Sequence, residues 1–448
     1  MSLPTYPECK NSRVEWLGSV PAHWGISQSR RMFAVRSEPA LASDRMLTAS
    51  QKYGVLFQSD FVEREGRRVV EVILGIENLK HVEPDDFIIS MRSFQGGIEW
   101  CKLRGSTSFH YVMLRPIKYV WPPFFAHLFK SAQYIQALRR TTDLIRDGQE
   151  LRYSNFAQVD LPIVPIEEQK AIAAFLDSET AKIDALLAEQ EKLLILLAEK
   201  RQATISHAVT RGLNPGAPMK DSGVTWLGQV PAHWAVDSVR RHLVKSLSNG
   251  IFKKKDEFGQ GTLLVNVFDV YRQDFRIDYT SLERVTCSSG EQAAYKVMPD
   301  DILFVRSSLK QEGIAAVAIA GHMPENVVYE CHLIQARFVP TSVIGRFASY
   351  VFNSAVYRAH MVRSAKVTTM TTIDQEAILG TPLVLPPIEE QTAIAAFLDT
   401  ETSRVEDLKK EAARAIDLLK ERRSALIAAA VTGKIDVRHV AALRELAA

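Results

Sequence analysis

The chain has 448 residues, 46 % hydrophobic and 24 % charged, a balance that argues against intrinsic disorder; the length suggests about three domains, and each half is long enough to bury its own core. A formal net charge of +3 assigns no partner by itself, and four scattered cysteines (Cys9, Cys101, Cys287 and Cys331) lack the spacing of a zinc site or a disulfide framework. The opening MSLPTYPECK has no apolar core and the densest apolar run, Leu193 to Ala198, is far short of a membrane span, so a cytoplasmic protein without membrane contact is expected.

In chain order, the first element is a phrase that returns. NSRVEWLGSVPAHW at 11–24 reappears as DSGVTWLGQVPAHW at 221–234, pairing Trp16 with Trp226, Gly18 with Gly228, Pro21 with Pro231, His23 with His233 and Trp24 with Trp234. A globular stretch follows each copy, 25–160 and 235–380. Each contains a strand signal behind two acids, PDDFIISMRS at 84–93 and PDDILFVRSS at 299–308. A loop comes next, with Gly96 and Gly97 in the first copy and Gly313 in the second. Then come a further strand, HYVMLRP at 110–116 and HLIQARFVP at 332–340, and an amphipathic helical stretch at 124–139 and 345–360. This pattern predicts an α/β domain built on a twisted sheet. The loops differ, MRSFQGGIEW against VRSSLKQEGI, as they would in two related domains reading different targets.

A second phrase repeats further on, PIEEQKAIAAFLDSET at 165–180 and PIEEQTAIAAFLDTET at 387–402. From Glu167 to Ala208 there is neither proline nor glycine. Apolar residues fall at Ile172, Phe175, Leu176, Ile183, Leu186, Leu187, Leu193, Leu194 and Leu197, which predicts one apolar helical face. Glu167 and Glu168 suit the first turn, and Gly212 with Pro215 ends the run. The second copy uses Ile394, Phe397, Leu398, Val405, Leu408, Ala412, Ile416, Leu419 and Ile427 and ends at Gly433. About 42 residues make a rod of roughly 60 Å. So long a helix with one apolar seam needs a partner. The simplest is its own duplicate in an antiparallel coiled coil, and the alternative is packing on its own globular domain. Residues 167–208 hold eight acids against five bases, and 389–430 hold nine against seven, so the globular parts carry the basic excess that phosphate-facing surfaces need.

Catalytic motifs fail residue by residue. Pro122-Pro123-Phe124 is similar to an adenine-methyltransferase motif, but Trp121 stands where Asn or Asp must accept a hydrogen bond. Thr432-Gly433-Lys434 looks like the end of a phosphate loop, with Ala428 in place of its first glycine. Asp85, Glu99 and Lys102 are spaced one residue too widely for a nuclease site, and the second copy has no equivalent. His23 and His233, each beside a tryptophan, read as packing residues. No catalytic site of the chain's own is expected.

The paired phrases resemble the specificity subunit of type I restriction–modification systems: WLGxVPxHW as a domain opening, PIEEQxxIAAFLD as a helix start, and EKRQATISHAVT at 199–210 with ERRSALIAAAVTGKIDV at 421–437 as helix ends. The resemblance spans essentially the whole chain. It implies an α+β protein with two α/β target-recognition domains of similar fold, 1–164 and 212–386. They would be separated by two long helices, 165–211 and 387–433, in an antiparallel coiled coil with pseudo-twofold symmetry, and 434–448 would form a tail. Each domain would read half of a bipartite, asymmetric site in double-stranded DNA. The partners would be two methyltransferase subunits and the restriction/translocase subunits. S-adenosylmethionine, ATP and magnesium would sit on those partners, with no cofactor or metal on this chain. A non-enzymatic coiled-coil scaffold joining two protein partners is the rival reading.

Base reading needs polar side chains on loops, and register needs Lys and Arg on phosphates. Candidates in the first domain are Arg92, Ser93, Gln95, Arg104, Arg152, Tyr153 and Asn155. Those in the second are Lys253, Lys254, Lys255, Arg306, Ser307, Lys310, Gln311, Lys366, Thr368 and Thr369.

Overall fold

The computed structural model describes residues 3–66, 78–90, 93–142, 151–367 and 371–438. Arg92, Thr368, Thr369 and positions 439–448 of the expected tail lie outside the described residues. The chain forms two units, Met1–Gln190 with Arg414–Ala448, and Glu191–Ala413. Among the described residues, no helix is long and apolar enough to cross a membrane.

The first unit is organised around a four-stranded antiparallel sheet in the order Phe33–Arg36, Val112–Pro116, Phe87–Ile89 and Glu99–Trp100. Side chains alternate across it. Phe87, Ile89 and Leu114 join a core with Phe33, Phe125 and Phe129, while Ile88 and Met113 face a second cluster with Leu47 and Val82. Burial on both faces explains why these strands read as unbroken apolar runs. The second unit repeats the order with Ser248–Asn249, Leu333–Ala336, Ile302–Val305 and Val317–Ile319, again all antiparallel. Ile302, Phe304 and Ile334 face one core, and Leu303, Val305 and Leu333 the other. In the same unit, Phe258–Val265 makes a parallel pairing with Val327–Tyr329.

Each expected amphipathic helix is two helices: Pro122–Leu128 then Ala132–Arg139, and Gly345–Asn353 then Ala355–Ser364. Buried serines cause the breaks. Ser131 and Ser354 hold extended backbone while their hydroxyls donate to the carbonyls of Leu128 and Val351, at 2.7 and 2.6 Å. That local bond competes with helix continuation.

The long helices run Ile166–Arg211 and Ile388–Val431. Their buried positions recur three and four residues apart: Ile172, Leu176, Thr180 and Ile183, then Leu197, Arg201, Ile205 and Ala208 in the first, and Ile394, Leu398, Thr402 and Val405, then Ala412 and Ile416 in the second. The seam is narrower than the sequence pattern. Leu186, Leu193, Phe397 and Leu408 are exposed, because a stripe spaced by threes and fours leaves its flanking positions outside. In the first unit, Ile172 and Leu176 share a core with Ile427 and Val431, and Arg423 grips Asp184 at 2.8 and 3.2 Å. In the second, Ile205 and Val209 share a core with Ile394 and Leu398, and Arg201 approaches Glu406 at 3.6 Å.

The repeated phrases meet in a clamp. Glu168, 5 % exposed, accepts from the indole Nε1–H of Trp24 at 3.0 Å, lies 2.7 Å from His23 Nε2, and accepts from the Tyr6 hydroxyl. Glu390 receives Trp234 Nε1–H at 3.0 Å and His233 Nε2 at 2.8 Å. The next residue fastens another segment. Gln169 accepts from the Trp121 amide and donates to the carbonyls of Tyr119 and Val164, and Gln391 does the same with Ile344, Ser342 and Pro386. The EEQ triplet thus fixes the leader and the turn into the short helices at the base of each long helix. In the first unit that turn is 119–121, and Pro122-Pro123-Phe124 opens the helix after it.

Gly212 and Gly433 end the long helices at φ 74° and 68°. A Cβ on Gly433 would lie 2.3 Å from Pro21 Cδ, whereas on Gly212 its nearest neighbours would be the Glu390 carboxylate at 3.1 Å and the Trp234 ring at 3.2 Å. Left-handed backbone costs Ala about 1–2 kcal/mol at either site. Gly433→Ala also displaces a ring, so calorimetry should record a larger drop in Tm for it than for Gly212→Ala. Glu168→Ala leaves three donors without their acceptor. It should destabilise the protein by about 1.5–3 kcal/mol in urea unfolding, with Glu390→Ala costing less at its more exposed site.

Candidate nucleic-acid interface

Paired aspartates prepare the loops that carry the candidate residues. Asp85 and Asp300 take φ of 73° and 68°, turning the chain into the central strand. The following acid is buried and gripped by an arginine from elsewhere in the sheet: Asp86 by Arg36 at 2.6 and 3.2 Å, and Asp301 by Arg337 at 2.7 and 2.8 Å. Burial pushes the Asp86 carboxyl up while Arg36 holds it down. The nuclease-like group is taken up similarly. Asp85 accepts from Trp100 Nε1–H at 3.0 Å, Glu99 pairs with Lys130, and Lys102 lies over the Trp100 ring at 4.4 Å.

In the first unit, Gln95, Arg104 and Arg152 are exposed, with Arg104 lying 3.5 Å from Glu83. Three candidates are turned inward instead. Ser93 accepts the Ser90 amide at 2.8 Å, Tyr153 donates to the Phe33 carbonyl at 3.2 Å, and Asn155 donates to the Thr141 carbonyl at 2.7 Å. These side chains hold the loop and do not face outward.

In the second unit the candidates divide the same way. Lys253 is held between Glu257 and Glu291, at 3.0 and 2.9 Å, with its side chain 5 % exposed, while Lys254 and Lys255 are exposed. A small sheet gathers several others. Ser307–Ser308 pairs with Thr371–Thr372, which pairs with Lys366–Val367. Ser307 is buried, but the same sheet edge leads into exposed Lys310 and Gln311, and Lys366 stands exposed beside Asp374 at 2.9 Å. Arg306, half-buried, donates to the Cys331 carbonyl at 3.4 Å.

All four cysteines are free. Among the described residues, Glu330, Cys331 and His332 bring ligand-type atoms within 4.8 Å of one another on one turn. Burial and the Glu330 hydrogen bond push the Cys331 thiol up to about 11.

Sequence reasoning missed the exposed aromatics. Phe252 and Phe268, 71 % and 84 % exposed, flank a cleft in the second unit, and nothing in their local sequence separates them from core phenylalanines.

No family model matches the chain. The EcoKI specificity subunit of Escherichia coli strain K12, a type I restriction enzyme component, is 24 % identical over 372 residues, covering 80 % of this chain and 77 % of the relative. The StySPI specificity subunit of Salmonella potsdam is 24 % identical over 376 residues with the same coverage. The relatives are type I specificity subunits. Solved structures of such subunits share the fold. A chain from a structural study of complex assembly and conformational transition in a type I R-M system matches with a TM-score of 0.69 and 14 % identity, covering 93 % of this chain and 99 % of that one. The HsdS subunit from Thermoanaerobacter tengcongensis matches with a TM-score of 0.53 and 15 % identity, covering 93 % and 98 %. The specificity-subunit resemblance read from the two repeated phrases is the one these relatives carry.

Proposed function

We propose that this chain is the DNA-reading subunit of a type I restriction–modification complex, each unit addressing one half of a bipartite, asymmetric site. The observation that carries the reading is one sheet order and one Glu-Gln clamp used twice, beneath loops of different sequence. A common scaffold with divergent loops suits two different half-sites. The reading surface comprises the exposed candidates Gln95, Arg104 and Arg152 in one unit and Lys254, Lys255, Lys310, Gln311 and Lys366 in the other, with half-buried Arg306; Arg92, Thr368 and Thr369, outside the described residues, are further candidates.

The long helices form an antiparallel coiled coil that sets the spacing of the half-sites. Within the first unit Ile172 and Leu176 share a core with Ile427 and Val431 while Asp184 meets Arg423, and within the second Arg201 approaches Glu406 while Ile205 and Val209 share a core with Ile394 and Leu398, so in each unit partner numbers fall as first-helix numbers rise. The chain has no catalytic site of its own. Two methyltransferase subunits dock on it, with restriction/translocase subunits beyond, and S-adenosylmethionine, ATP and magnesium act on those partners.

Methylation mapping of DNA modified by the complete complex should return a split, non-palindromic target, and a continuous palindrome would refute the reading. Binding of that target should weaken steeply with salt, and Lys310→Ala should lower the salt slope by about one unit if it meets one phosphate. A protein-joining scaffold would bind no DNA. Inserting four residues near Leu187 or Ala412 should shift the mapped spacer or abolish recognition, because length and facing angle both change. An unchanged site would refute the ruler.

A further inference from the structure

We infer that Phe252 and Phe268 are the aromatic lips of a base-reading cleft in the second unit, which takes the edges of stacked bases in double-stranded DNA and not the phosphates. The inference rests on the DNA-reading function proposed above and assigns a contact class to residues outside its candidate set. Burying a phenylalanine stabilises a protein by about 2 kcal/mol, so two rings left 71 % and 84 % exposed at one cleft mark a surface that something covers. Neither ring sits on slack backbone. Phe268 lies in the single turn Val267–Val270, where the Asp269 carboxylate accepts the Asn266 amide at 2.7 Å, and Phe252 follows Ile251, whose amide is bonded to the Tyr329 carbonyl at 2.8 Å.

The chemistry between the lips selects the occupant. Glu283 and Glu330 line the cleft of about 500 Å³, and Asn266 donates to Glu283 at 2.9 Å. Carboxylates repel phosphate but accept from the exocyclic amino groups of cytosine and adenine, while an aromatic edge suits the thymine methyl group or an opened base step. Lys253 also lines the cleft, where Glu257 and Glu291 take up its charge, and further cations lie close by. Lys254 and Lys255 follow Phe252 and Lys253, and Arg306 bonds to the carbonyl of Cys331, next to Glu330. Cations next to an acidic, aromatic cleft match duplex DNA, whose phosphates flank its base edges.

The test uses the complete complex carrying this chain, a duplex bearing the mapped target, duplexes altered in one half-site or the other, and a random duplex of equal length. Phe252→Ala and Phe268→Ala should each lower affinity for the target about ten- to a hundredfold and leave random-duplex affinity and the salt slope unchanged. Discrimination should be lost for one half-site only. The same selectivity ratio in both variants as in the unaltered chain would overturn the inference while leaving the DNA reading intact. So would an unchanged ratio accompanied by loss of a partner subunit, which would make the lips a protein contact. If the unaltered chain prefers neither duplex, the DNA reading falls and this inference with it. Phe268→Tyr, which keeps the ring, should restore most of the discrimination and so separates loss of the aromatic face from loss of fold.

Discussion

A carboxylate removed from water must be matched by donors, and at Glu168 three come from one short leader: an indole, an imidazole and a phenol. This demand fixes where the first long helix begins relative to its globular domain. The neighbouring Gln169 bonds to Tyr119 and Trp121, on the chain entering the Pro122–Leu128 helix, and to Val164 at its own helix start, so adjacent residues pin two segments that are far apart in sequence. Glu390 and Gln391 impose the same geometry in the second unit. Loops above such a joint can diverge freely, because none of the joint's hydrogen bonds depends on them.

The repeated phrases were therefore legible as phrases, and their chemistry was not. Sequence identity marked Trp24, His23 and Glu168 as belonging to a duplicated plan, but the stretches lie 144 residues apart and no local rule pairs them. His23 and His233 read as packing residues, and the structure gives each a carboxylate partner as well. The central strands were readable because burial on both faces leaves an unbroken apolar run. The helix breaks at Ser131 and Ser354 were not, since the amphipathic pattern continues across a serine that bonds backward to its own chain.

Charge misled where the fold supplied a partner. Lys253, Lys254 and Lys255 are indistinguishable in sequence, yet Glu257 and Glu291 claim only the first. The same holds for amides and hydroxyls: Asn155, Tyr153 and Ser93 looked like readers and serve as loop fasteners. Phe252 and Phe268 were missed for the converse reason, because a phenylalanine in a sequence is presumed to be core. Long-range contact decides these cases, and it enters neither composition nor periodicity.

The second unit is one uninterrupted stretch, Glu191–Ala413, while the first needs Arg414–Ala448 as well, with Ile427, Ala430 and Val431 completing its core. On the ribosome these two assemblies cannot mature in the order they are made. The earlier-translated globular body must wait, with an apolar flank uncovered, until the last helical turns emerge, whereas the later one can close as soon as its own stretch is out. A nascent chain stalled before residue 427 would therefore display a finished back half and an open front.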